Sequence, residues 1–217
     1  MHEVYKTLAE QLKKPHGELA IQIAEKLNEV NETINKLSIH AVSLSPGDHI
    51  PEIGMCNGFF VKYLFERQQD LYYTGCDFSI KMIYEANRIN ESLMEQGRAK
   101  FIHADAAELP FEDGTFDTVL VIATLYYFED LEKVFSEFHR VLKPKGQLVI
   151  SIRPKFIMEV YGTSMFAARM FTKEDLVSWI TRHGFRIMDI TDHPEPDVRI
   201  LEENLPSSCI IVVAEKI

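Results

Sequence analysis

The chain has 217 residues, 46% of them hydrophobic and 26% charged, with a formal net charge of −10. That is enough for one α/β domain with a substantial core, and the acidity disfavours a nucleic-acid backbone as partner. No apolar run approaches the roughly 20 residues of a membrane span, and the N-terminus shows no hydrophobic secretory region. The cysteines, Cys56, Cys76 and Cys209, are too far apart for a C-x-x-C metal site or a disulfide framework. No metal is expected, and a reducing cytoplasm is the expected location.

Residues 2–38 read as helical. Val4, Leu8 and Leu12 recur at helical spacing, Pro15 and Gly17 break the pattern, and a second stripe runs through Leu19, Ile23, Leu27, Val30, Ile34 and Leu37. This segment, residues 1–44, is expected to bury its stripe on a following sheet and to close over a ligand site. Lys13, Lys14 and His16 read as a solvated helix end. Ser45-Pro46-Gly47-Asp48 is a turn signal.

Residues 49–58, HIPEIGMCNG, read as a short buried strand, a tight glycine turn and the start of a helix. Glycines serve where backbone takes positive φ or approaches a ligand closely. A helix start just past such a turn offers unpaired N–H groups to an anion. The stretch therefore reads as a nucleotide- or cofactor-binding turn at the end of the first strand of an α/β sheet. Pro51 is out of keeping with a central strand, because it removes a ladder N–H.

A helix is expected over 59–68 and a second strand over 72–76, ending at Asp77. That carboxylate lies about 20 residues past the glycine turn, where α/β cofactor folds bind ribose hydroxyls; it also reads as a helix cap together with Ser79. The next helix carries Met82, Ala86, Ile89 and Leu93 and ends near Gly97. Residues 99–103 are the third strand, with Asp105 and Ala106 at its end, placed for an adenine edge or for a turn. The apolar run 116–122 is a buried fourth strand, and residues 123–127 stand at its carboxyl end. A helix over 131–142 stops at Lys143-Pro144-Lys145-Gly146, and 147–152 is the fifth strand. Residues 154–171, bracketed by Arg153 and Arg169, are rich in large apolar side chains and read either as a cap over the strand ends or as a core helix. Thr172 and Asp175 form a capping box for a helix to 183. Strand six is 186–191, residues 192–208 with three prolines read as a hairpin with a long loop, and 209–217 is the last strand. With no helix between the last two strands, one of them is antiparallel.

Several of these stretches resemble a known family. Glu52-x-Gly54-x-Cys56-x-Gly58 resembles motif I, [DE]-x-G-x-G-x-G, of the class I S-adenosylmethionine-dependent methyltransferases, with Cys56 at the second glycine. Residues 109–121, LPFEDGTFDTVLV, resemble the LPF-x-[DE]-[GN]-[ST]-F-D-x-V run of its type 11 branch. Residues 137–146 resemble that branch's E-x-x-R-V-L-K-P-x-G pattern, and residues 11–20, QLKKPHGELA, with the later Asn28, Asn31 and Asn35, are similar to an L-[KR]-K-P-x-G leader of small bacterial members. The resemblance covers about residues 45–191. Where the family often carries paired histidines, this chain has Tyr126 and Tyr127.

The resemblance implies a Rossmann-like, seven-stranded, mostly parallel α/β sheet with one antiparallel strand, helices on both faces and an N-terminal helical extension. Residues 45–217 would be the methyltransferase domain, with a cap insertion at about 154–171. The implied cofactor is S-adenosyl-L-methionine, its methionine portion at Glu52, Gly54, Met55, Cys56 and Gly58. The ribose falls to Asp77 and Phe78, and the adenine to Met82, Asp105 and Ala106, with Ile122 and Ala123 at the fourth strand end. Tyr126 would orient the acceptor or act as its base; Tyr127, Arg153, Tyr161 and Phe166 would contact it. The expected function is direct methyl transfer to a small, partly apolar acceptor. A non-enzymatic binder of S-adenosylmethionine or S-adenosylhomocysteine is the alternative. A dinucleotide-dependent oxidoreductase is opposed by the glycine spacing and the missing Tyr-x-x-x-Lys pair.

Overall fold

The computed structural model describes residues 10–160, 169–200 and 203–217. Its strands are β1 (Asp48–Ile53), β2 (Leu71–Asp77), β3 (Ala99–His103), β4 (Phe116–Ile122), β5 (Leu142–Ile152), β6 (Phe185–Ile200) and β7 (Glu203–Lys216). They form one sheet in the order β3-β2-β1-β4-β5-β7-β6. The first five run parallel, and β7 lies antiparallel to both β5 and β6. The chain is thus a Rossmann-like α/β fold with one reversed strand, as its alternation of elements implies.

The sheet is buried on both faces. Along β4, Val119 and Val121 pack into one apolar cluster while Leu120 and Ile122 pack into the other, the two-residue alternation of a pleated strand. The strand order reverses between β1 and β4, whose carboxyl ends therefore flank a crevice.

Pro51 has a physical account here. Gly54 N–H donates to Cys76 O across to β2, so by strand alternation position 51 faces β4. The β1–β4 register is recorded only at Glu52↔Leu120, and a missing donor costs least on so short a ladder.

The helices are α1 (Ala20–Val30), α2 (Glu32–Ala41), α3 (Val61–Arg67), α4 (Ile80–Ile89), α5 (Glu91–Glu95), α6 (Leu131–Val141), α7 (Lys155–Val160) and α8 (Lys173–Arg182). Among the described residues, no helix is long and apolar enough to cross a membrane. Several boundaries differ from the sequence reading. The second N-terminal stripe breaks at Asn31, and Leu19 is exposed. Only the α2 half, through Ile34 and Ile39, joins the core cluster on the sheet. The helix expected to run to Gly97 breaks at Asn90, whose side chain donates to Ala86 O and Gly58 O; a carboxamide competes with the helix for backbone groups. Lys143–Gly146 is an excursion inside β5, since the β4–β5 register jumps from Phe116↔Leu142 to Thr118↔Gln147.

The hairpin expected over residues 192–208 is present, but its described residues are paired strand out to Ile200↔Glu203 where a long loop was expected. Pro194 and Pro196 are tolerated because β6 is the edge strand. Pro206 lies opposite the register shift between Glu195 and Val198 and outside the β5 pairing, which stops at Ile210.

Phe135 illustrates how the α6 side is packed. It is fully buried, with ring centroids 5.8 Å from Phe138, 5.8 Å from Trp179 and 5.1 Å from His183. Phe135→Ala should cost about 3–5 kcal/mol of unfolding free energy, read as a lowered urea midpoint at unchanged slope.

Candidate active site

The carboxyl ends of β1, β2 and β4 carry the site. After β1 the chain turns through Gly54 (φ 79°), Cys56 (φ 55°) and Gly58 (φ 66°). Gly54 is required by space as well as by backbone conformation: a Cβ there would stand 2.8 Å from Thr124 Cγ2. Cys56 is held in its left-handed conformation by Asp77, whose Oδ2 accepts the Cys56 N–H at 3.0 Å. Asp77 Oδ1 accepts the Ser79 N–H at 2.8 Å. One carboxylate thus ties the glycine turn to the start of α4, whose cap is Ser79.

Two cavities meet here. The first, of about 360 Å³, is bounded by Glu52, the Gly54–Cys56 turn, Ile122–Thr124, the tyrosine pair and the inner faces of α1 and α2. The second, of about 330 Å³, is bounded by Phe78, Ala104–Ala107, Phe128 and neighbouring residues. Gly54, Asp77, Thr124, Tyr127 and Lys13 border both, so the two are lobes of one cleft. Volumes of this size suit a small ligand.

The described parts of the expected site largely converge on this cleft. Glu52, Met55, Cys56, Ile122, Ala123, Tyr126 and Arg153 border the first lobe, and Phe78, Asp105 and Ala106 border the second. Met82 and Gly58 border neither. Met82 is buried with Ala20, Ala24 and Cys56 beneath α1, and Gly58 gives its carbonyl to Asn90. Both support the turn from behind. Tyr161 and Phe166 lie outside the described residues, as do Val4 and Leu8.

The titratable groups are strongly perturbed. Burial pushes Glu52 up to about 7, against the Tyr73 hydroxyl that donates to its Oε2 at 2.7 Å. Burial also pushes Asp77 up to about 6, opposed by the N–H groups of Ser79 and Cys56. The Cys56 thiol is pushed up to about 12 by burial and sits 3.6 Å from Met82 Sδ; it is not a nucleophile at neutral pH. Tyr126 is pushed above the ordinary tyrosine value by burial, and its hydroxyl accepts the Arg153 N–H at 2.8 Å. A phenol in that setting stays protonated at neutral pH, which suits positioning and does not suit a base.

Sequence reasoning missed the residues that fasten these pieces. Arg153, expected to meet an acceptor, is buried with Nη2 and Nε on Glu195 at 3.0 Å each, Nη1 on Asn31 Oδ1 at 2.6 Å and Nη2 on Val30 O at 2.9 Å. It joins the hairpin to the α1–α2 junction. Lys13 and Lys14, expected as a solvated helix end, instead reach over the cleft. Lys13 pairs with Glu129, Lys14 lies 3.9 Å from the Phe78 ring centroid, and Ser79 Oγ donates to Pro15 O. These partners are up to 116 positions apart, and no local spacing announces them.

Because both carboxyls are raised in the fold, the folded protein keeps protons that the unfolded chain has released. Between the ordinary carboxylate range and about pH 7, their contribution to stability falls as pH rises. Glu52→Gln should therefore stabilise the ligand-free protein at pH 8 by on the order of 2–3 kcal/mol and leave it nearly unchanged at pH 4. Urea denaturation at the two pH values checks this, and equal effects at both would refute the assignment. Gly54→Ala should weaken ligand affinity at least about tenfold through strain and the Thr124 contact, measured by calorimetry.

Comparison with known proteins agrees with this geometry. Residues 51–150 match the family model described as Methyltransferase domain. The O-methyltransferase cnsE of Penicillium expansum is 28% identical over 176 residues, covering 77% of this chain and 60% of that protein. The demethylmenaquinone methyltransferase of Thermus thermophilus is 37% identical over 101 residues, covering 46% of this chain and 45% of that protein. The matches thus span 60% and 45% of the length of these two curated relatives. Among solved structures, geranyl diphosphate C-methyltransferase from Streptomyces coelicolor A3(2), in complex with Mg2+, geranyl diphosphate and S-adenosyl-L-homocysteine, shares the fold. Its TM-score is 0.71 at 13% identity, over 94% of this chain and 86% of that one. With the sheet order, the glycine turn and the acidic strand ends, these matches converge: residues 51–150 carry the methyltransferase-domain match, and the chain is similar to the class I S-adenosylmethionine-dependent methyltransferases.

Proposed function

We propose that this protein transfers a methyl group from S-adenosylmethionine to a small, partly apolar acceptor by direct displacement. The observation that carries the reading is the convergence of Glu52, Asp77 and the Gly54–Cys56 turn on one two-lobed cleft. When bound, the cofactor supplies a methyl group on a sulfonium, a leaving group that needs no protonation.

The chain's own residues bind, orient and exclude water. Asp77 retains lone pairs to accept two ribose hydroxyls. Asp105 and Ala106, at the second lobe, meet the adenine edge, with Phe78 against its side. Glu52, ionised by an approaching ammonium, holds the amino-acid end, and the turn's backbone presents polar groups to the rest. Tyr126 and Tyr127 form the wall facing the acceptor. Residues 10–31 act as a lid fastened by the Lys13–Glu129 and Ser79–Pro15 contacts, and residues 154–171 are the proposed cap continuing from Met158, which borders the first lobe. Holding the reactants in line in a dry site supplies most of the rate. The names of the relatives, which include methylators of oxygen and of a quinone precursor, support a small acceptor. The free thiols Cys56, Cys76 and Cys209 fit a reducing cytoplasm.

A non-catalytic binder is the second reading. It draws on the same Tyr126, whose protonated, engaged hydroxyl leaves it unfit as a base.

Calorimetric titration with S-adenosylmethionine and S-adenosylhomocysteine tests the cofactor assignment. Saturable binding is expected, weakened at least about tenfold in Asp77→Ala by loss of the charged hydrogen-bond acceptor. A folded protein that binds neither compound, or an Asp77→Ala variant with full affinity, overturns the reading.

A further inference from the structure

The acceptor end of the first lobe has a polar pattern that the methyl-transfer reading leaves unused. The wall contributed by α1 and α2 is apolar through Ile23, Leu27 and Val30, but three asparagines, Asn28, Asn31 and Asn35, interrupt it. Their spacing of three and four places them together on the inner face. Asn31 is committed, its Oδ1 accepting from Arg153. Asn35 donates through Nδ2 to Asn31 O at 2.8 Å, and no described donor reaches its Oδ1. The side chain of Asn28, half-buried at the same wall, makes no hydrogen bond with the described residues.

The charges around these carboxamides point the same way. Each cation bordering the lobe is matched to a carboxylate: Arg153 to Glu195, Lys13 to Glu129 and Lys26 to Glu29. Glu52 and Asp77 have no cation at ion-pair distance among the described residues; their named partners are a hydroxyl and two backbone N–H groups. An anionic acceptor group at the α1–α2 wall of this lobe would give up its hydration and meet no protein cation that is not already paired. A neutral group with both a donor and an acceptor would find a carboxamide able to answer each.

We propose that the acceptor is electrically neutral at the end remote from the methylated atom, and that Asn28 and Asn35 read that end by hydrogen bonding. This rests on the methyl-transfer reading and narrows its substrate class.

The test uses three thiols on one skeleton: 4-(sulfanylmethyl)benzamide, 4-(sulfanylmethyl)benzoate and 4-(sulfanylmethyl)benzylammonium. A thiol is chosen because a fraction is already thiolate near neutral pH. The thiolate sulfur forms the new bond to the methyl carbon, the carbon–sulfonium bond breaks, and the pair stays on the departing S-adenosylhomocysteine, whose formation is measured. The benzamide should show a kcat/KM at least about tenfold above either ionised probe. Asn28→Leu and Asn35→Ala should each shrink the benzamide-to-benzoate ratio, a quantity in which a general loss of folded or cofactor-bound protein cancels. Asn28→Asp should move the preference toward the ammonium. An ionised probe used as well as the benzamide, a ratio unchanged in both neutral variants, or no turnover of any probe by protein that binds the cofactor overturns the proposal. Failure to bind the cofactor at all removes the methyl-transfer reading itself, and calorimetry separates that outcome from the others.

Discussion

The Asp77 carboxylate is the joint on which the site hangs. It stands at the end of β2, and its two oxygens take the N–H of Cys56 from the turn after β1 and the N–H of Ser79 at the head of α4. A cysteine with φ of 55° is strained, and such strain persists only where the surroundings overdetermine it. Here the overdetermination is this hydrogen bond together with the Met82 sulfur beneath the thiol. Ser79 carries the same bonded chain onward, since its hydroxyl donates to Pro15 O. Turn, helix and lid are therefore one connected unit, and the group that connects them also faces the cleft.

That arrangement has an electrostatic consequence. Glu52 and Asp77 sit on adjacent strands at the crevice, and burial is the largest cause of the upward displacement of each. The empty fold therefore carries a cost for ionising them, softened by Tyr73 and two backbone donors. A cationic ligand would relieve that cost on binding, so stability forgone in the free protein returns as affinity. The thiol of Cys56 and the phenols of Tyr126 and Tyr127, raised by the same burial, stay neutral and add no competing charge.

A second joint serves the other end of the cleft. Arg153 leaves the end of β5, caps Tyr126 through its backbone N–H, and binds Glu195 on the hairpin and Asn31 between the first two helices. Such a buried pair is worth less in net stability than its Coulomb attraction suggests. What it supplies is geometry: it holds the α1–α2 wall and the hairpin at one distance from the tyrosine pair, and so sets the shape that an acceptor would meet.

How much of this was legible in the sequence follows the range of the interactions involved. The strands, the glycine turn, Asp77 as both strand end and helix cap, and the Thr172–Asp175 capping box are written in local spacing, and the order of the matching stretches carries the family resemblance. The prolines at 194, 196 and 206 made the loop of the expected hairpin read as too long, because their cost depends on whether a strand is an edge and where its register shifts, which only the assembled sheet defines. Arg153 was found as a residue of the site but with another partner, because Glu195 is 42 positions away. Lys13 was passed over because Glu129 is more distant still. The sequence by itself determined the fold and the glycine-turn end of the cleft, where each group acts on backbone a few residues away or one strand over. Only the tertiary structure decided how residues 13–15, the hairpin and the α1–α2 junction are fastened around the cleft, because those contacts join segments that no periodicity links.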